Sequence, residues 1–204
     1  MKPAGLVVLG FGGHARSVAD VALRAGIERI VFVDESAKLC ESFAGFAAHP
    51  DWPEALPGWC AFPASGHAGR RKDLISAAEA HGFEICSLLS PSAYIGLEAS
   101  VDKGALVAHG AHIGPATTIG VGAIVNTAAV VDHETLIGDY AHIAVNATLA
   151  GRCVIGRGVM IGAGATIIDN IRICEGVIVG AGAVVVREIT EPGTYVGSPA
   201  RRVR

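Results

Sequence analysis

The sequence has little charge, few aromatic residues and no long apolar run. Charged residues make up 17% of the chain and the formal net charge is -3, so the basic face of a nucleic-acid-binding protein is missing. No apolar run reaches the roughly 18 residues that a membrane-spanning helix needs. The five cysteines show no CxxC or other metal-ligand spacing. We therefore expect a cytoplasmic protein with reduced cysteines and no metal, which binds neither nucleic acid nor a membrane.

The few aromatic residues divide the chain into two parts. All six phenylalanines and both tryptophans precede residue 94, and only three tyrosines follow, at 94, 140 and 195. The two parts must therefore fill their cores by different means. We expect two domains, comprising residues 1–93 and 94–204.

The second part carries an uninterrupted six-residue repeat. From Ile95 to Val185 every sixth residue is aliphatic, and the residue four places after each of these anchors is mostly small. A period of six fits neither a helix nor a simple strand and is typical of a parallel β-helix of hexapeptides. Three hexapeptides make a triangular coil of eighteen residues, so the sixteen anchors predict about five coils stacked roughly 4.8 Å apart.

Residues eighteen apart are expected to stack, and those just before the anchors form three outward-facing columns. One column is apolar apart from a single histidine and comprises Leu106, Ile124, His142, Met160 and Ile178. A continuous apolar stripe on an outer face predicts a subunit interface, with scattered surface hydrophobic residues as the alternative.

The first part begins with a nucleotide-binding pattern. A buried strand at 6–9 leads into Gly10-Phe11-Gly12-Gly13-His14-Ala15 and a helix to about residue 25, and a second strand at 30–33 ends at Asp34-Glu35. This fits G-x-G-x-x-A with an acidic residue about twenty positions on. Further strands are expected around 59–62 and 84–88, with a helix around 70–81.

This first domain is about half the size of a full dinucleotide fold, which argues against an NAD-dependent oxidoreductase and favours a nucleotide or nucleotide-sugar. Phosphate is expected near the glycine turn and the helix start, and Asp34 or Glu35 near the ribose or base. A purely structural βα turn is the alternative.

A candidate catalytic group lies on the β-helix. Asp132-His133-Glu134 follows the anchor Val131, which puts His133 on a turn at a corner of the prism. A histidine with an adjacent carboxylate is a candidate general base. Gly151 should stack over His133, and its N–H could stabilise an oxyanion. Cys153 falls in the inward row of small residues, so we expect direct transfer without a cysteine intermediate.

Five motifs carry a family resemblance. They are Gly-Phe-Gly-Gly-His near the start, Asn126-Thr127, Val131-Asp132-His133-Glu134, Ile137-Gly138-Asp139-Tyr140-Ala141-His142 and Val196-Gly197-Ser198-Pro199-Ala200-Arg201. Together they resemble the bacterial nucleotide-sugar N-acetyltransferases, which include the UDP-4-amino-sugar acetyltransferases of bacillosamine biosynthesis and the related sialic acid O-acetyltransferase group. The resemblance spans the chain and implies an α/β Rossmann-like half domain, a left-handed parallel β-helix of hexapeptide repeats and a cyclic homotrimer.

The resemblance also implies an activity and a set of site residues. The activity is acetyl transfer from acetyl-CoA to the 4-amino group of a nucleotide-linked 4-amino-6-deoxy sugar, with His133 as base and Glu134 tuning it. The contacts implied for acetyl-CoA are His142, the Gly151 N–H, Ala163 and Ala181. Those implied for the nucleotide-sugar are Gly12, Gly13, His14, Asp34, Glu35, Ser65 and Gly66.

His133 and His142 are predicted on different parts of the prism, too far apart to meet within one subunit. We therefore expect active sites between subunits, where His133 of one chain pairs with His142 of its neighbour. Both imidazoles at one site within a single chain would contradict this.

Two alternative functions stay open. One is O-acetylation of a sialic acid or similar sugar, because a hydroxyl nucleophile needs a base even more than an amine does. The other is a non-catalytic nucleotide-binding scaffold. The sequence departs from the family pattern at two places. The glycine turn reads Gly-Gly-His-Ala where relatives often have Ser-Gly-His-Gly, and Glu35 replaces a second aspartate. Both departures leave the nucleotide base and the sugar of the substrate open.

Overall fold

The structure, a computed structural model, describes residues 3–38 and 40–203. The chain divides into two compact units, residues 1–89 and 90–204. The predicted fold class is confirmed: an α/β unit with Rossmann-like order precedes a parallel β-helix of hexapeptides.

The first unit is a six-stranded sheet with two helices. Its elements are β1 (Gly5–Leu9), α1 (Gly13–Arg24), β2 (Ile30–Val33), β3 (Ser42–Phe43), β4 (Phe46–His49), β5 (Trp59–Pro63), α2 (Ala68–Ala80), β6 (Glu84–Ile85) and, outside this sheet, β7 (Leu88–Leu89). The sheet order is β3-β4-β2-β1-β5-β6, and every pairing except β3 with β4 is parallel. The short hairpin of β3 and β4 was not predicted.

The central strand β1 explains why this unit folds. All five of its residues are buried, and its Leu-Val-Val-Leu run is apolar throughout because a parallel strand between two neighbours has helices or loops over both faces. Helix α1 buries one face against the sheet, with small or branched residues at Ala15, Val18, Ala19 and Ala22. The loops that follow β1 and β5 emerge at the same sheet edge, since Leu9 pairs in register with Pro63.

The second unit repeats a two-residue strand every six residues. The strands are β8 (Tyr94–Ile95), β9 (Ser100–Val101), β10 (Leu106–Val107), β11 (His112–Ile113), β12 (Thr118–Ile119), β13 (Ile124–Val125), β14 (Val130–Val131), β15 (Leu136–Ile137), β16 (His142–Ile143), β17 (Thr148–Leu149), β18 (Val154–Ile155), β19 (Met160–Ile161), β20 (Thr166–Ile167), β21 (Arg172–Ile173), β22 (Val177–Val179), β23 (Val184–Val185), β24 (Gly193–Val196) and β25 (Arg201–Arg202). From β8 to β23 each strand ends on a predicted anchor.

These strands form three faces with parallel pairing at a spacing of eighteen residues. The first face contains β10, β13, β16, β19, β22 and β24, the second contains β8, β11, β14, β17, β20 and β23, and the third contains β9, β12, β15, β18 and β21. The register is the predicted one, as in Val131 opposite Leu149 and Ile119 opposite Ile137. The anchors from Val107 onward are at most 2% exposed and fill the interior.

The apolar outer column differs from its prediction. Leu106 and Ile124 are each only 1% exposed and are already buried within the chain, whereas Ile178 is 49% exposed. The prediction of one continuous exposed stripe is therefore wrong for the first two members, because a six-residue period assigns a face but not what covers it. An accessible partner surface on the first face is restricted to the later coils.

The end of the β-helix is closed by a different element. Strand β24 adds to the first face in parallel, and β25 then pairs with it antiparallel, Val196 facing Arg201. A bridge between Ile173 and Ile189 extends the third face by one pair. This reversal covers part of the last coil, which would otherwise present unpaired backbone groups.

Candidate active site

The corner between the second and third faces holds His133. Strand β14 ends at Val131, and the Oδ1 atom of Asp132 accepts a hydrogen bond of 2.7 Å from the His133 backbone N–H. Asp132 therefore fixes the turn backbone. The His133 side chain is 39% exposed, which leaves its ring accessible to a ligand from solvent.

Gly151 lies directly against the His133 ring, as the eighteen-residue spacing predicts. A Cβ atom at position 151 would overlap with the Cε1 and Nε2 atoms of His133 and lie 3.0 Å from Cδ2. The backbones are tied as well, since the Arg152 N–H donates to the His133 carbonyl over 2.8 Å. Only glycine leaves room at position 151 for the imidazole in this orientation.

Glu134 is near the imidazole but does not hydrogen-bond to it. Its Oε2 atom lies 3.8 Å from His133 Nδ1, which exceeds hydrogen-bond length, and 3.9 Å from Nη1 of Arg152. The Glu134 side chain is 57% exposed. The Glu134 carboxylate therefore lies within 4 Å of both the imidazole and a guanidinium, without a hydrogen bond to either.

His142 lies on the first face, in strand β16, away from the corner that carries His133. Its Nε2 atom is 3.3 Å from Nδ2 of Asn126, whose Oδ1 atom accepts the Thr127 N–H over 2.8 Å. Because the amide oxygen is engaged by Thr127, the amide nitrogen faces the ring and can donate to Nε2. Asn126 belongs to one of the five motifs, but the motif alone predicts no role for its side chain.

Ala163 and Ala181 follow β19 and β22 at the corner between the first and second faces. The Gly182 N–H donates to the Ala163 carbonyl over 2.9 Å, which stacks the two turns. Ala163 is half-buried and Ala181 is exposed. This corner is not the one that carries His133 and Gly151, so the residues predicted for acetyl-CoA lie at two corners of one chain.

In the first unit, the glycine turn is open to ligand. Gly12 caps α1 without a side-chain hydrogen bond and Gly13 begins the helix. A Cβ atom at either position would meet nothing within 4 Å. The helix N-terminus thus presents free space beside backbone N–H groups, which suits a phosphate.

Asp34 mainly shapes this turn. Its Oδ2 atom accepts the Phe11 N–H over 3.0 Å, and its Oδ1 atom accepts from the Ser36 backbone and hydroxyl. Partial burial alone would raise the pKa of the Asp34 carboxyl, but the hydrogen bonds from Ser36 and Phe11 together outweigh burial and lower that pKa. Asp34 therefore stays ionised and holds β2 to the glycine turn.

A pocket opens at the carboxyl ends of β1 and β2. It is lined by Leu9, Gly10, Val33, Asp34, Glu35, Trp52, Arg70 and Leu74. The Trp52 indole stacks on the His81 ring with centroids 4.3 Å apart. Asp34 and Glu35 were predicted here, whereas Trp52 and Arg70 were missed, since no local motif connects residues so distant in sequence. Parallel α/β sheets bind ligands at this edge.

Behind the glycine turn lies a buried arginine. Arg71 is fully buried, and its Nη1 atom donates to the Ser65 carbonyl over 3.0 Å. Burial, and secondarily the charge of Arg71, lower the pKa of His14 to about 4. His14 is therefore neutral at pH 7, and the Ser65-Gly66 turn is held by Arg71, a residue that sequence reasoning did not select.

The remaining predictions concern Cys153, a metal site and membrane-spanning helices. Cys153 is buried in the row of small residues, where burial raises the pKa of its thiol, and it donates to the Ile168 carbonyl. Within residues 3–38 and 40–203, no cluster of three His, Cys, Asp or Glu could hold a metal ion. Over the same residues, no helix is long and apolar enough to cross a membrane.

Two family models match parts of the chain. Residues 134–169 and 152–187 match the bacterial transferase hexapeptide (six repeats), and residues 5–58 match the PglD N-terminal domain. A search of curated proteins gave no significant match.

Solved structures match almost the whole chain. The acetyltransferase domain of PglB from Neisseria gonorrhoeae FA1090 is 32% identical, with a TM-score of 0.90 over 98% of this chain and 100% of that one. The same domain has been solved with acetyl coenzyme A. GDP-perosamine N-acetyltransferase from Caulobacter crescentus is 32% identical, with a TM-score of 0.90 over 98% and 97% of the two chains. It has been solved with CoA and GDP-perosamine, including variants in which one histidine is replaced by alanine or asparagine.

Proposed function

The chain belongs to the acetyltransferase family of the PglB domain and GDP-perosamine N-acetyltransferase, and we propose that it acetylates the 4-amino group of a nucleotide-linked 4-amino-6-deoxy sugar with acetyl-CoA. The observation that carries the proposal is the accessible His133 imidazole, packed on Gly151 beside Glu134. An ordered imidazole at an open corner can act as a general base.

The reaction needs no covalent enzyme intermediate. The neutral sugar amine attacks the thioester carbonyl while His133 accepts the proton that the amine loses. The carbonyl oxygen becomes an oxyanion, to which the Gly151 N–H donates in this proposal. The intermediate then collapses, the carbon–sulfur bond breaks and the CoA thiolate leaves. The proton taken from the amine is by then on His133. The products are the acetamido sugar and free CoA.

The first unit is proposed to hold the nucleotide. Gly12 and Gly13 offer the open N-terminus of α1 to the diphosphate, with neutral His14 and the Ser65-Gly66 turn beside it. The pocket with Glu35, Trp52 and Arg70 is suited to the ribose and base, since it offers a carboxylate, an aromatic face and a cation. Asp34 supports this site through the glycine turn.

The complete active site is proposed to lie between subunits of a homotrimer. His133 lies at the corner of the second and third faces, and His142 on the first face. If both contact one acetyl-CoA, along with Ala163 and Ala181, a neighbouring chain must supply part of the site. The exposed later coils of the first face, including Ile178, support such an interface. The free cysteines fit a cytoplasmic enzyme.

Sugar O-acetylation is not favoured. The relative that is named by its substrate is an N-acetyltransferase, and its complex contains a nucleotide-linked amino sugar. The open glycine turn and the adjacent pocket fit that class better than a free sugar acid, which has no nucleotide to bind.

A thiol-detecting assay of CoA release tests the function directly. Acetyl-CoA is combined with 4-amino-6-deoxy sugars linked to UDP, GDP or dTDP, and we expect one nucleotide series to release CoA. His133→Ala should lower kcat/KM by about 10²–10⁴-fold while the protein stays folded. Near-normal turnover by His133→Ala would refute the base assignment. Nucleotide binding without CoA release from any amine would favour a non-catalytic scaffold.

A further inference from the structure

The corner that carries His133 also carries a stacked row of three polar side chains. Glu134, Arg152 and Asn170 are spaced eighteen residues apart, and their φ angles are +55°, +59° and +59°. The same backbone conformation on successive coils projects their side chains from the corner in the same direction. Arg152 is the middle member, one strand spacing from each neighbour.

Arg152 is held by the following coil. Its Nε atom donates to Asn170 Oδ1 over 2.9 Å, and its Nη2 atom lies 3.9 Å from Asp169 Oδ2. Asn170 Nδ2 in turn donates to Asp169 Oδ2 over 2.6 Å. The guanidinium is therefore anchored on one side, and its Nη1 atom points to Glu134 at 3.9 Å.

Glu134 needs such a partner, because nothing else in this row holds its carboxylate near the ring. The distance of 3.8 Å to His133 Nδ1 is too long for a hydrogen bond, and an exposed glutamate otherwise samples several rotamers. Asp132, the other adjacent carboxylate, is engaged by the His133 backbone N–H.

We propose that Arg152 is a positioning residue that keeps the Glu134 carboxylate beside the His133 imidazole. This inference rests on the proposed function for its catalytic meaning, but the contact can be tested without turnover.

Arg152→Met removes the cation and keeps much of the side-chain length. The Glu134 carboxylate then loses the group that holds it near the ring. We expect kcat for CoA release to fall several-fold with little change in KM for acetyl-CoA, and Arg152→Lys, which keeps the cation, should recover most of the loss. Adding Arg152→Met to Glu134→Gln should cause no further loss, because the carboxylate is already absent.

The matched control is Arg157→Met. Arg157 Nη2 pairs with Asp139 Oδ2 at 3.1 Å across the same eighteen-residue spacing, but at the corner between the third and first faces. Its loss should leave kcat within about twofold of the wild type and should have the same effect with or without Glu134→Gln. A wild-type kcat in Arg152→Met, or a full further loss when Arg152→Met is added to Glu134→Gln, would overturn the proposal.

NMR spectra recorded at one fixed pH separate this inference from the function. The His133 ring signals, assigned by their absence in His133→Asn, should change in Arg152→Met and in Glu134→Gln but not in Arg157→Met. Unchanged His133 signals in Arg152→Met refute the positioning role whether or not the protein is active. Changed signals in a protein that releases no CoA refute the proposed function and retain the positioning role.

Discussion

Replacing Gly151 with alanine gives the sharpest test of the corner geometry. Gly151 is not among the residues with positive φ, so alanine fits its backbone without strain. The new methyl group would occupy the space of His133 Cε1 and Nε2. Because the chain backbone is fixed by the ladder, the half-exposed ring must yield.

The size of the effect follows from the overlap. Carbon atoms pack at about 3.5–4 Å, so the imidazole must move by about 1 Å or rotate out of place. A misplacement of about 1 Å can reduce catalysis by roughly 10²-fold. We expect Gly151→Ala to lose that factor in kcat/KM, measured by CoA release. Its melting temperature should stay within about 2 °C of the wild type, since the ring can move into solvent.

A double-mutant cycle decides whether the loss acts through His133. If alanine only displaces the imidazole, adding Gly151→Ala to His133→Ala should cause no further loss. The backbone N–H is retained in alanine, so loss of an oxyanion donor does not explain the effect. Activity of Gly151→Ala within about twofold of the wild type would refute the reasoning, and so would a full further loss in the double variant.

Two further predictions concern the first unit. His14, whose pKa is lowered to about 4, stays neutral in the folded state while the unfolded chain takes up a proton below pH 6.5. Stability should therefore fall as the pH drops from about 6.5 to 4, by about 2 kcal/mol at pH 5, and denaturant unfolding of His14→Asn should lack this part of the loss. Trp52→Ala should raise KM for the nucleotide-sugar by about tenfold with little change in KM for acetyl-CoA. Equal changes in both KM values would argue against a nucleotide contact of Trp52.

The repeat could be predicted from sequence because its information is local. Each anchor from Ile95 to Val185 predicts where one strand lies, and sixteen anchors at the same spacing are compatible with a single strand register. The stacking of Gly151 on His133 follows from the same arithmetic. The period does not tell what covers an outward residue, and for that reason Leu106 and Ile124 were assigned to an exposed stripe although the chain buries them.

The candidate nucleotide site in the first unit was only partly predictable from the sequence. The glycine turn and Asp34-Glu35 form a short pattern, which predicts a site at the carboxyl ends of β1 and β2, where the structure has a pocket. The fingerprint assigns the acidic residue to the ligand, whereas Asp34 accepts the Phe11 N–H and shapes the turn. Trp52, Arg70 and Arg71 come from segments with no periodicity, and only the fold brings them to the site.

The coil length also restricts how this chain can gain or lose residues. Each hexapeptide turns the backbone by one face, so an insertion of six residues between Val131 and His142 would carry His142 to a different face. An insertion of eighteen would return it to its own face, one strand spacing further along. Homologous chains that keep both histidines in place should therefore differ here only by whole coils. Other length changes should be confined to segments outside the ladder, such as the loop between β2 and β5.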